Sequence, residues 1–298
     1  MSEPVTITSG ELTAAIDPMG AELCSLTDAA GRQYQWSGDA AWWTGQAPIL
    51  FPIVGALNAG RYRLDGKEYA LEKHGFARRS LFRCDEHDPF EWARFVLEDS
   101  GATREVYPFA FRLDLFFRMW GGTLTITATV TNRDKRPMPF SFGFHPAFAW
   151  PLPGGASHDA HRVYFSQDEP QPIRRIDPAS GLLLPDSFPT PVEDGRLAPE
   201  AAMFEPDALI WDHLASRSCE FGAPGGGSVS LEWDNLPMLG IWQKPGAPYL
   251  CIEPWQGIAD PVGFTGELVD KPGIVTLPSG EAMQFTLAIT VTPPEDHS

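Results

Sequence analysis

A carboxylate at the end of an apolar strand stands out in this sequence, because packing alone does not explain it. The stretch YLCIEPWQGIAD begins with four almost uninterruptedly apolar residues, Tyr249–Ile252, and then places Glu253 before a Pro-Trp pair that ends at Trp255. A buried carboxylate costs free energy unless it is paired or protonated. Two interpretations follow for Glu253. It is either a structural acceptor, which caps a turn or pairs with an arginine, or a carboxylate with a raised pKa that takes part in proton transfer.

A histidine lies in an equally apolar stretch, PFSFGFHPAFAWP. His145 is surrounded in sequence by aromatic residues, and Pro146 removes a backbone donor and prevents a helix, so the imidazole is expected on rigid, extended backbone. Aromatic rings with a few directed polar groups suit the apolar faces of sugar rings. His145 is either a core histidine bonded to backbone or one half of an acid–base pair with Glu253. An imidazole with a pKa of about 6.5 and a carboxylate with a raised pKa can exchange protons at neutral pH.

A third polar cluster, KHGFARR, spans 73–79. His74 and Arg78 can donate hydrogen bonds to ligand oxygens, and Gly75 permits close approach of the backbone. A lone histidine is more often structural than functional, so this stretch alone leaves both interpretations open.

Other candidate motifs are weaker. His158 and His161 suggest a metal site, but they lie in a Gly/Ser loop without further ligand spacing, so a solvated loop is favoured. Asp212 and His213 follow DALIW and are expected in a turn. The sequence contains no GxGxxG, P-loop or GxSxG pattern, which argues against nucleotide binding and serine-hydrolase chemistry. No motif indicates a metal or an organic cofactor.

Short β-strands are predicted along almost the whole chain, from alternating runs rich in β-branched and aromatic residues that are bounded by Gly, Pro, Asn or Asp. The runs are VTITSG, ELTAAID, AELCSLTD, FRLDLFFRMW, LTITATVTN, VSLEWD, MLGIWQK and AMQFTLAITV. With 29 Pro and 28 Gly there is little room for long helices. The pattern predicts an all-β fold, a large antiparallel β-sandwich.

Three local features refine this prediction. Tyr62–Leu71 is expected to form a hairpin, with Asp65 and Gly66 supplying the positive φ angles of a type I′ turn. The Pro-rich stretch 169–199 is expected to be a long surface excursion, and Asp194–Met203 could hold a short helix. Because strand patterning resumes after 199 and no linker interrupts it, residues 1–298 are expected to form one domain.

The charge and the cysteines exclude several classes of function. A formal net charge of −17 repels nucleic acids and anionic membranes. The beginning of the chain lacks the features of a signal peptide, and no run of about 18 apolar residues could span a bilayer. Four separated cysteines without CxxC spacing are expected to be reduced core thiols of a cytoplasmic protein; they are Cys24, Cys84, Cys219 and Cys251.

Taken together, these motifs resemble the aldose 1-epimerase, or galactose mutarotase, family, and most closely its bacterial branch related to hexose-phosphate mutarotases. The similar stretches occur in the family's order and cover most of the chain from about Pro48 onward. They are PILFPIVGALNAGRY (48–62), KHGFAR (73–78), YPFAF (107–111), TNRDKRPMPFSFGFHPAF (131–148), DALIW (207–211) and CIEPWQGIAD (251–260). The family's fold is a large antiparallel β-sandwich, in agreement with the strand pattern.

The resemblance implies roles for individual residues. Glu253 would be the general base and His145 the general acid of a cofactor-free ring opening and closure of a cyclic aldose. The remaining positions would bind the substrate. His74 and Arg78 would bind its hydroxyls or a phosphate, and Asp207 would accept a hydrogen bond from a ring hydroxyl. Lys73 and Trp255 would lie beside them. The expected partner is a small-molecule sugar; the oligomeric state is left open.

Two departures from the family bear on the substrate. Many relatives carry a substrate-contacting arginine where this chain has Ala56, and some relatives that act on phosphorylated sugars have glutamine in place of Lys73. Both departures favour an unmodified aldose over a hexose 6-phosphate, whereas the cluster of Lys73, Arg78 and Arg79 argues for the phosphate.

Two other functions compete with that of an epimerase: sugar binding without catalysis, and glycoside hydrolysis. A catalytically silent sugar-binding protein of the same fold would not need both His145 and Glu253. A glycoside hydrolase would need two carboxylates that face the glycosidic bond, for which Asp207 and Glu253 are the available pair. An acid histidine beside them fits mutarotation better.

Overall fold

The computed structural model of the chain describes residues 3–295. This part of the chain is built almost entirely of β-strands. In chain order they are β1 (Val5–Thr8), β2 (Leu12–Asp17), β3 (Glu22–Asp28), β4 (Ile49–Leu50), β5 (Arg61–Leu64), β6 (Lys67–Ala70), β7 (Arg83–Asp88), β8 (Trp92–Glu98), β9 (Phe111–Trp120), β10 (Thr123–Asn132), β11 (Met138–Phe140), β12 (Phe142–Phe144), β13 (Ala147–Ala149), β14 (Arg162–Phe165), β15 (Ile173–Ile176), β16 (Leu183–Phe188), β17 (Arg196–Leu197), β18 (Leu209–Trp211), β19 (Ser218–Gly222), β20 (Ser228–Asp234), β21 (Met238–Trp242), β22 (Tyr249–Gln256), β23 (Val275–Leu277) and β24 (Ala282–Thr292).

Two large antiparallel sheets dominate the fold. A nine-stranded sheet has the order β17-β14-β19-β20-β24-β10-β9-β8-β7, and an eight-stranded sheet has the order β16-β15-β18-β21-β22-β12-β4, with β13 also paired to β22. Smaller sheets are formed by β1-β2-β3, β5-β6 and β11-β23. The prediction of a large antiparallel β-sandwich is confirmed.

The core lies between the two large sheets. In β10, half-buried threonines alternate with buried Leu124, Ile126, Ala128 and Val130. This is the pattern of a strand with one face on a core. These side chains belong to the same apolar cluster as Leu250 and Ile252 of β22 in the other sheet.

The central strand β22 is buried on both faces. Leu250 and Ile252 point into the sandwich core, whereas Cys251, Glu253 and Trp255 alternate with them and share the opposite face. This double burial explains the almost unbroken apolar run in the sequence. It also places the carboxylate of Glu253 on the outer face of the eight-stranded sheet, beneath the loops that cover it.

The predicted hairpin is present. β5 and β6 pair in register from Arg61 with Ala70 to Leu64 with Lys67, and Asp65 (φ 52°) and Gly66 (φ 75°) form the turn. Both φ angles are positive, as a type I′ turn requires.

The helix considered for Asp194–Met203 is not formed. Asp194 (φ 50°) and Gly195 (φ 69°) make a turn into β17, and only a 3₁₀ turn follows at Ala201–Phe204. The α-helix of the described residues is instead α1 (Gly101–Val106), where Ser100 accepts a hydrogen bond from the Thr103 amide and the Thr103 hydroxyl accepts one from the Ser100 amide. This reciprocal cap uses threonine in place of the usual glutamate or glutamine, which is why the sequence pattern did not indicate it.

The prediction of a surface excursion over 169–199 is wrong in its main part. β15 and β16 lie within this stretch and extend the eight-stranded sheet, with Ile173 and Ile176 buried. The prolines misled the interpretation because Pro185 lies in β16, the edge strand, where a missing ladder donor is tolerated.

All four cysteines are free, but only Cys219 and Cys251 are buried, while Cys24 and Cys84 are half-buried. Within residues 3–295, no helix has the length and apolar character that a bilayer crossing requires.

Candidate active site

A cavity of about 160 Å³ lies on the outer face of the eight-stranded sheet. The structure brings together in its lining every residue that the sequence singled out for the site: Lys73, His74, Arg78, His145, Asp207, Glu253 and Trp255.

The register of β22 places His145 directly opposite Glu253. On one side of this point Gly143 of β12 pairs with Trp255, and on the other side Ala147 of β13 pairs with Cys251. The register is the same on both sides, so His145 and Glu253 are cross-strand neighbours although Pro146 interrupts the strand. Side chains opposite each other on one face of an antiparallel pair are close enough to interact. His145 Nε2 and Glu253 Oε2 are 3.0 Å apart.

Both members of this pair are buried, and burial disfavours their charged forms. It raises the pKa of Glu253 well above the ordinary glutamate value; Lys73 opposes this rise and Asp207 adds to it. Burial lowers the pKa of His145 to about 3; a contact with its own backbone opposes this, and Lys73 and Arg78 lower the pKa further. Burial therefore favours a protonated Glu253 beside a neutral His145.

Tryptophans form the walls beside this pair. The ring of Trp43 lies 5.1 Å from that of His145, and Trp242 lies 6.2 Å away and edge-on. Both line the cavity, and sequence reasoning missed both. Trp242 looks like a core residue of the strand MLGIWQK, and Trp43 lies in a segment without strand periodicity. The adjacent pair Trp42-Trp43, two large rings in a segment otherwise made of small and polar residues, was the available signal.

Trp255 lies flat across neighbouring strands because two glycines make room for it. A Cβ atom added to Gly143 would lie 2.6 Å from the indole Cδ1, and one added to Gly240 would lie 2.6 Å from Cζ2. Gly143 is the register partner of Trp255 on β12, and Gly240 is the partner of Glu253 on β21. The indole therefore covers the sheet on both sides of β22. Its Nε1 has no hydrogen-bond partner among the described residues.

His74 is held as a donor toward the cavity. Its Nδ1 accepts a hydrogen bond of 3.1 Å from the Gly55 amide, and its own amide donates to the Gly55 carbonyl. Burial is the main cause that holds the pKa of His74 well below its usual range. The nearby Lys73, His145 and Arg78 lower it further. A neutral imidazole that accepts at Nδ1 carries its proton on Nε2. His74 is thus fixed as a donor, on backbone with a positive φ of 69°.

Two cations reach the cavity without an acidic partner in the described part of the chain. Lys73 is exposed, and Arg78 is half-buried, with Nη2 donating to the Lys73 carbonyl at 3.0 Å and Nε buried without a partner. Burial lowers the pKa of Arg78 from its ordinary value. The neighbouring Arg79, in contrast, forms an ion pair with Glu72.

Asp207 lies at the entrance to β18 on strained backbone with a φ of 67°. Its Oδ1 accepts from the Ala208 amide at 2.7 Å, and Arg175 donates to the carbonyls of both residues. Arg175 therefore fixes the turn that presents this carboxylate to the cavity.

Ala56 does not line the cavity. It is buried, and a Cβ on Gly181 would lie 3.2 Å from its methyl group. A longer side chain at position 56 would have to displace the β15–β16 loop that carries Gly181.

One donor set could in principle hold a metal ion: ligand atoms of His145, Cys251 and Glu253 lie within 4.8 Å of one another. A metal needs the thiolate and the carboxylate, but burial and Glu253 raise the pKa of Cys251 well above its usual value, and burial also raises that of Glu253. The set is therefore poorly suited to a cation. No such set forms around His158 and His161 in the described chain: His158 stacks on Trp150, and His161 accepts from the Leu152 amide.

The chain is similar to known proteins over most of its length. Residues 3–182 match the family model described as aldose 1-epimerase. The chain is 29% identical over 289 residues to the chromosomal protein LacX of Lactococcus lactis subsp. lactis, covering 94% of this chain and 96% of the relative. A galactose mutarotase related enzyme from Lactobacillus acidophilus superposes with a TM-score of 0.89 at 30% identity, covering 98% of each chain. A galactose mutarotase-like protein from Lactobacillus casei superposes with a TM-score of 0.90 at 30% identity, covering 97% of this chain and 100% of that one.

Proposed function

The chain belongs to the aldose 1-epimerase family, and we propose that it interconverts the α and β anomers of a cyclic aldose by acid–base ring opening and closure. The observation that carries the proposal is the 3.0 Å contact between His145 and Glu253 within a tryptophan-lined cavity. The C1 hydroxyl oxygen and the ring oxygen of an aldose are bonded to the same carbon. Two catalytic groups that serve them must therefore lie side by side, as this imidazole and carboxylate do.

In the proposed reaction, Glu253 takes the proton of the C1 hydroxyl while His145 delivers a proton to the ring oxygen. The bond from C1 to the ring oxygen breaks, and the C1 carbonyl forms. Rotation about the C1–C2 bond presents the other face of the carbonyl, and the reverse proton transfers close the ring as the other anomer. The pair holds one proton before and after each half-reaction, so no external acid or base is consumed.

This assignment requires the shared proton to be on His145 when the sugar reacts. Burial alone favours Glu253 as its carrier. Sugar hydroxyls that donate to the carboxylate stabilise its charged form and lower its pKa. The proton then moves across the existing contact, from carboxyl to imidazole, without any rearrangement of the sheet.

The other residues are proposed to orient the sugar. His74 donates from Nε2 and Arg78 from its guanidinium to sugar oxygens, whereas Asp207 accepts from a ring hydroxyl. Trp255 and the other tryptophan rings pack on the apolar C–H faces of the pyranose.

Polarimetry of freshly dissolved α-anomers of galactose and glucose tests the proposal. We expect Glu253→Gln and His145→Ala each to lower the rate by at least about a hundredfold, the lower end for loss of a positioned acid or base. Glu169→Gln and His161→Ala are matched controls, because both residues are buried and hydrogen-bonded to backbone amides but lie outside the cavity. A folded Glu253→Gln or His145→Ala enzyme with near-normal turnover would refute the assigned roles. Sugar binding without any mutarotation by the unmodified protein would indicate a silent binding protein instead.

A hexose 6-phosphate is the second candidate substrate, and the observation that favours it is the pair of cations, Lys73 and Arg78, that face the cavity without acidic partners in the described chain. Ala56 and the net charge of −17 favour the neutral aldose, since neither provides attraction for a dianion. We place the unmodified aldose first. Comparison of kcat/KM for glucose and for glucose 6-phosphate tests this order. A much larger kcat/KM for the phosphate, lost in Arg78→Ala, would reverse it.

A further inference from the structure

A buried ion pair lies directly behind the wall of the candidate active site. Lys271 Nζ donates to Asp260 Oδ1 at 2.7 Å, and the two side chains are 0% and 3% exposed. Buried pairs of this kind contribute little net stability compared with apolar packing, because both charges lose their hydration. The pair therefore calls for an explanation other than general stability.

Asp260 connects two separate segments of the chain. Its amide donates to the Ala56 carbonyl at 2.9 Å, and its Oδ2 accepts from the Asn58 amide at 2.9 Å. Its carbonyl accepts from the Leu183 amide at 2.8 Å. One residue thus holds the 54–58 segment at two points and the end of the β15–β16 loop at a third.

Both segments form walls of the sugar cavity. Gly55 fixes the donor tautomer of His74 through its amide, and Gly181, two residues before Leu183, lines the cavity together with Ile176. Ala259, the neighbour of Asp260, lines the same cavity.

Apolar contacts hold part of this wall, because Val54 and Ala259 belong to one buried cluster with Leu183. Asp260 and Lys271 lie outside that cluster and line a second cavity. The Asn58 end of the 54–58 segment is held there by a directed polar bond to the Asp260 side chain. A carboxylate suits this task, since its two oxygens can accept from Lys271 and Asn58 at the same time.

We propose that Asp260, with its charge balanced by Lys271, is a positioning residue that holds the 54–58 segment and the β15–β16 loop in register with the His145–Glu253 pair. The position of the walls is a property of the structure itself. Their effect on sugar turnover rests on the proposed function.

Amide hydrogen exchange and kinetics of Asp260→Asn test the proposal together. The amide side chain offers one acceptor oxygen for two donors, so we expect the Asn58 amide to exchange at least about tenfold faster, while the amides of β21 and β22 stay protected. The Leu183 amide donates to the backbone carbonyl of residue 260, which the substitution keeps, so its exchange should rise only as the backbone around residue 260 loosens. For the sugar, we expect KM to rise at least about fivefold and kcat to change less, because the proposed acid–base pair is untouched. The double variant Asp260→Ala with Lys271→Met removes the same anchor without leaving a buried unpaired charge, and should loosen the same two walls if the single variant does not fold.

Asp28→Asn is the matched control. Asp28 is also buried, pairs with Arg32 and accepts backbone amides, but lies in β3, outside the residues that line either cavity. Unchanged exchange of both walls in a folded Asp260 variant overturns the proposal, and so does loosening that extends equally to β21 and β22. Loosened walls with an unchanged KM would refute the link to the sugar. If the unmodified protein lacks mutarotase activity, the proposed function fails. The role of Asp260 is then still tested by amide hydrogen exchange and by sugar affinity measured from tryptophan fluorescence.

Discussion

Replacing Gly240 by alanine should impair catalysis without removing any polar group. The added Cβ would lie 2.6 Å from Cζ2 and 3.1 Å from Cζ3 of Trp255. Carbon atoms pack at about 3.5–4.0 Å, so the indole would have to move by about 1 Å. Gly143 lies beneath the opposite end of the ring, where an added Cβ would come within 2.6 Å of Cδ1, so there is little free space on that side for the indole to move into.

The expected magnitude follows from this displacement. Overpacking of a well-filled site costs about 1–3 kcal/mol of unfolding free energy, and a shift of about 1 Å near the reacting groups can cost up to about a hundredfold in rate. We therefore expect Gly240→Ala to lower kcat/KM for mutarotation by about 10- to 100-fold, in a protein that is still folded at 25 °C. Polarimetry and chemical denaturation measure the two effects.

Two further variants separate this steric effect from general destabilisation. Gly222→Ala places a Cβ 2.6 Å from Cβ of Ser228, far from the cavity, and should cost similar stability with unchanged activity. In a Trp255→Phe background the smaller ring relieves the clash at position 240, so the stability cost of Gly240→Ala should fall by more than about 0.5 kcal/mol, the deviation from additivity expected of independent sites. Normal activity of Gly240→Ala, or an undiminished cost in the Trp255→Phe background, would refute the reasoning.

Three further predictions follow from the charges of the site. First, kcat/KM should show no transition of His145 near pH 6.5, the ordinary imidazole value, because burial lowers the pKa of His145 to about 3; a transition near 6.5 that His145→Ala removes would contradict this. Second, burial raises the folded-state pKa of Glu253, so the stability from this group is complete below the ordinary glutamate pKa and is lost as the pH rises through the raised value. Glu253→Gln should therefore raise Tm relative to the unmodified protein at pH 8 and not at pH 4, whereas equal shifts at both pH values would show that titration is not the cause. Third, Arg78→Ala should weaken glucose 6-phosphate turnover more than glucose turnover, and equal losses would place Arg78 on a hydroxyl rather than on the phosphate.

The fold was predictable because its signals are local. Alternation of period two marks strands such as β10 and β24, and Asp65-Gly66 marks a turn that only positive φ angles can form. Local signals also caused the errors: proline density over 169–199 predicted a surface excursion, although an edge strand accommodates Pro185. That residues 1–298 form one domain stays a prediction.

The site was predictable in its residues but not in its geometry. His145 and Glu253 could be singled out because ionisable groups in apolar surroundings are costly. Their pairing depends on which strands are neighbours and in which register, and one sequence does not contain that information. The Asp260–Lys271 pair was missed for a similar reason, since a buried ion pair between residues 11 positions apart, joined by an irregular segment, has no periodic pattern.

The two halves of the site rest on different kinds of backbone, and this has a consequence for how the protein could change. The proposed catalytic pair lies where two short strands, β12 and β13, pair with β22 in one common antiparallel register, and a one-residue slip of that register would turn both side chains to the other face. The groups proposed to orient the sugar, His74 and Asp207, occupy single left-handed positions in turns outside those strands. Substitutions in the turns that carry His74 and Asp207 can therefore change how the sugar is bound without changing the register of the His145–Glu253 pair. Evolution or a designer could exchange the turns, and with them the preferred sugar, while the strand pairing behind proton transfer is inherited unchanged.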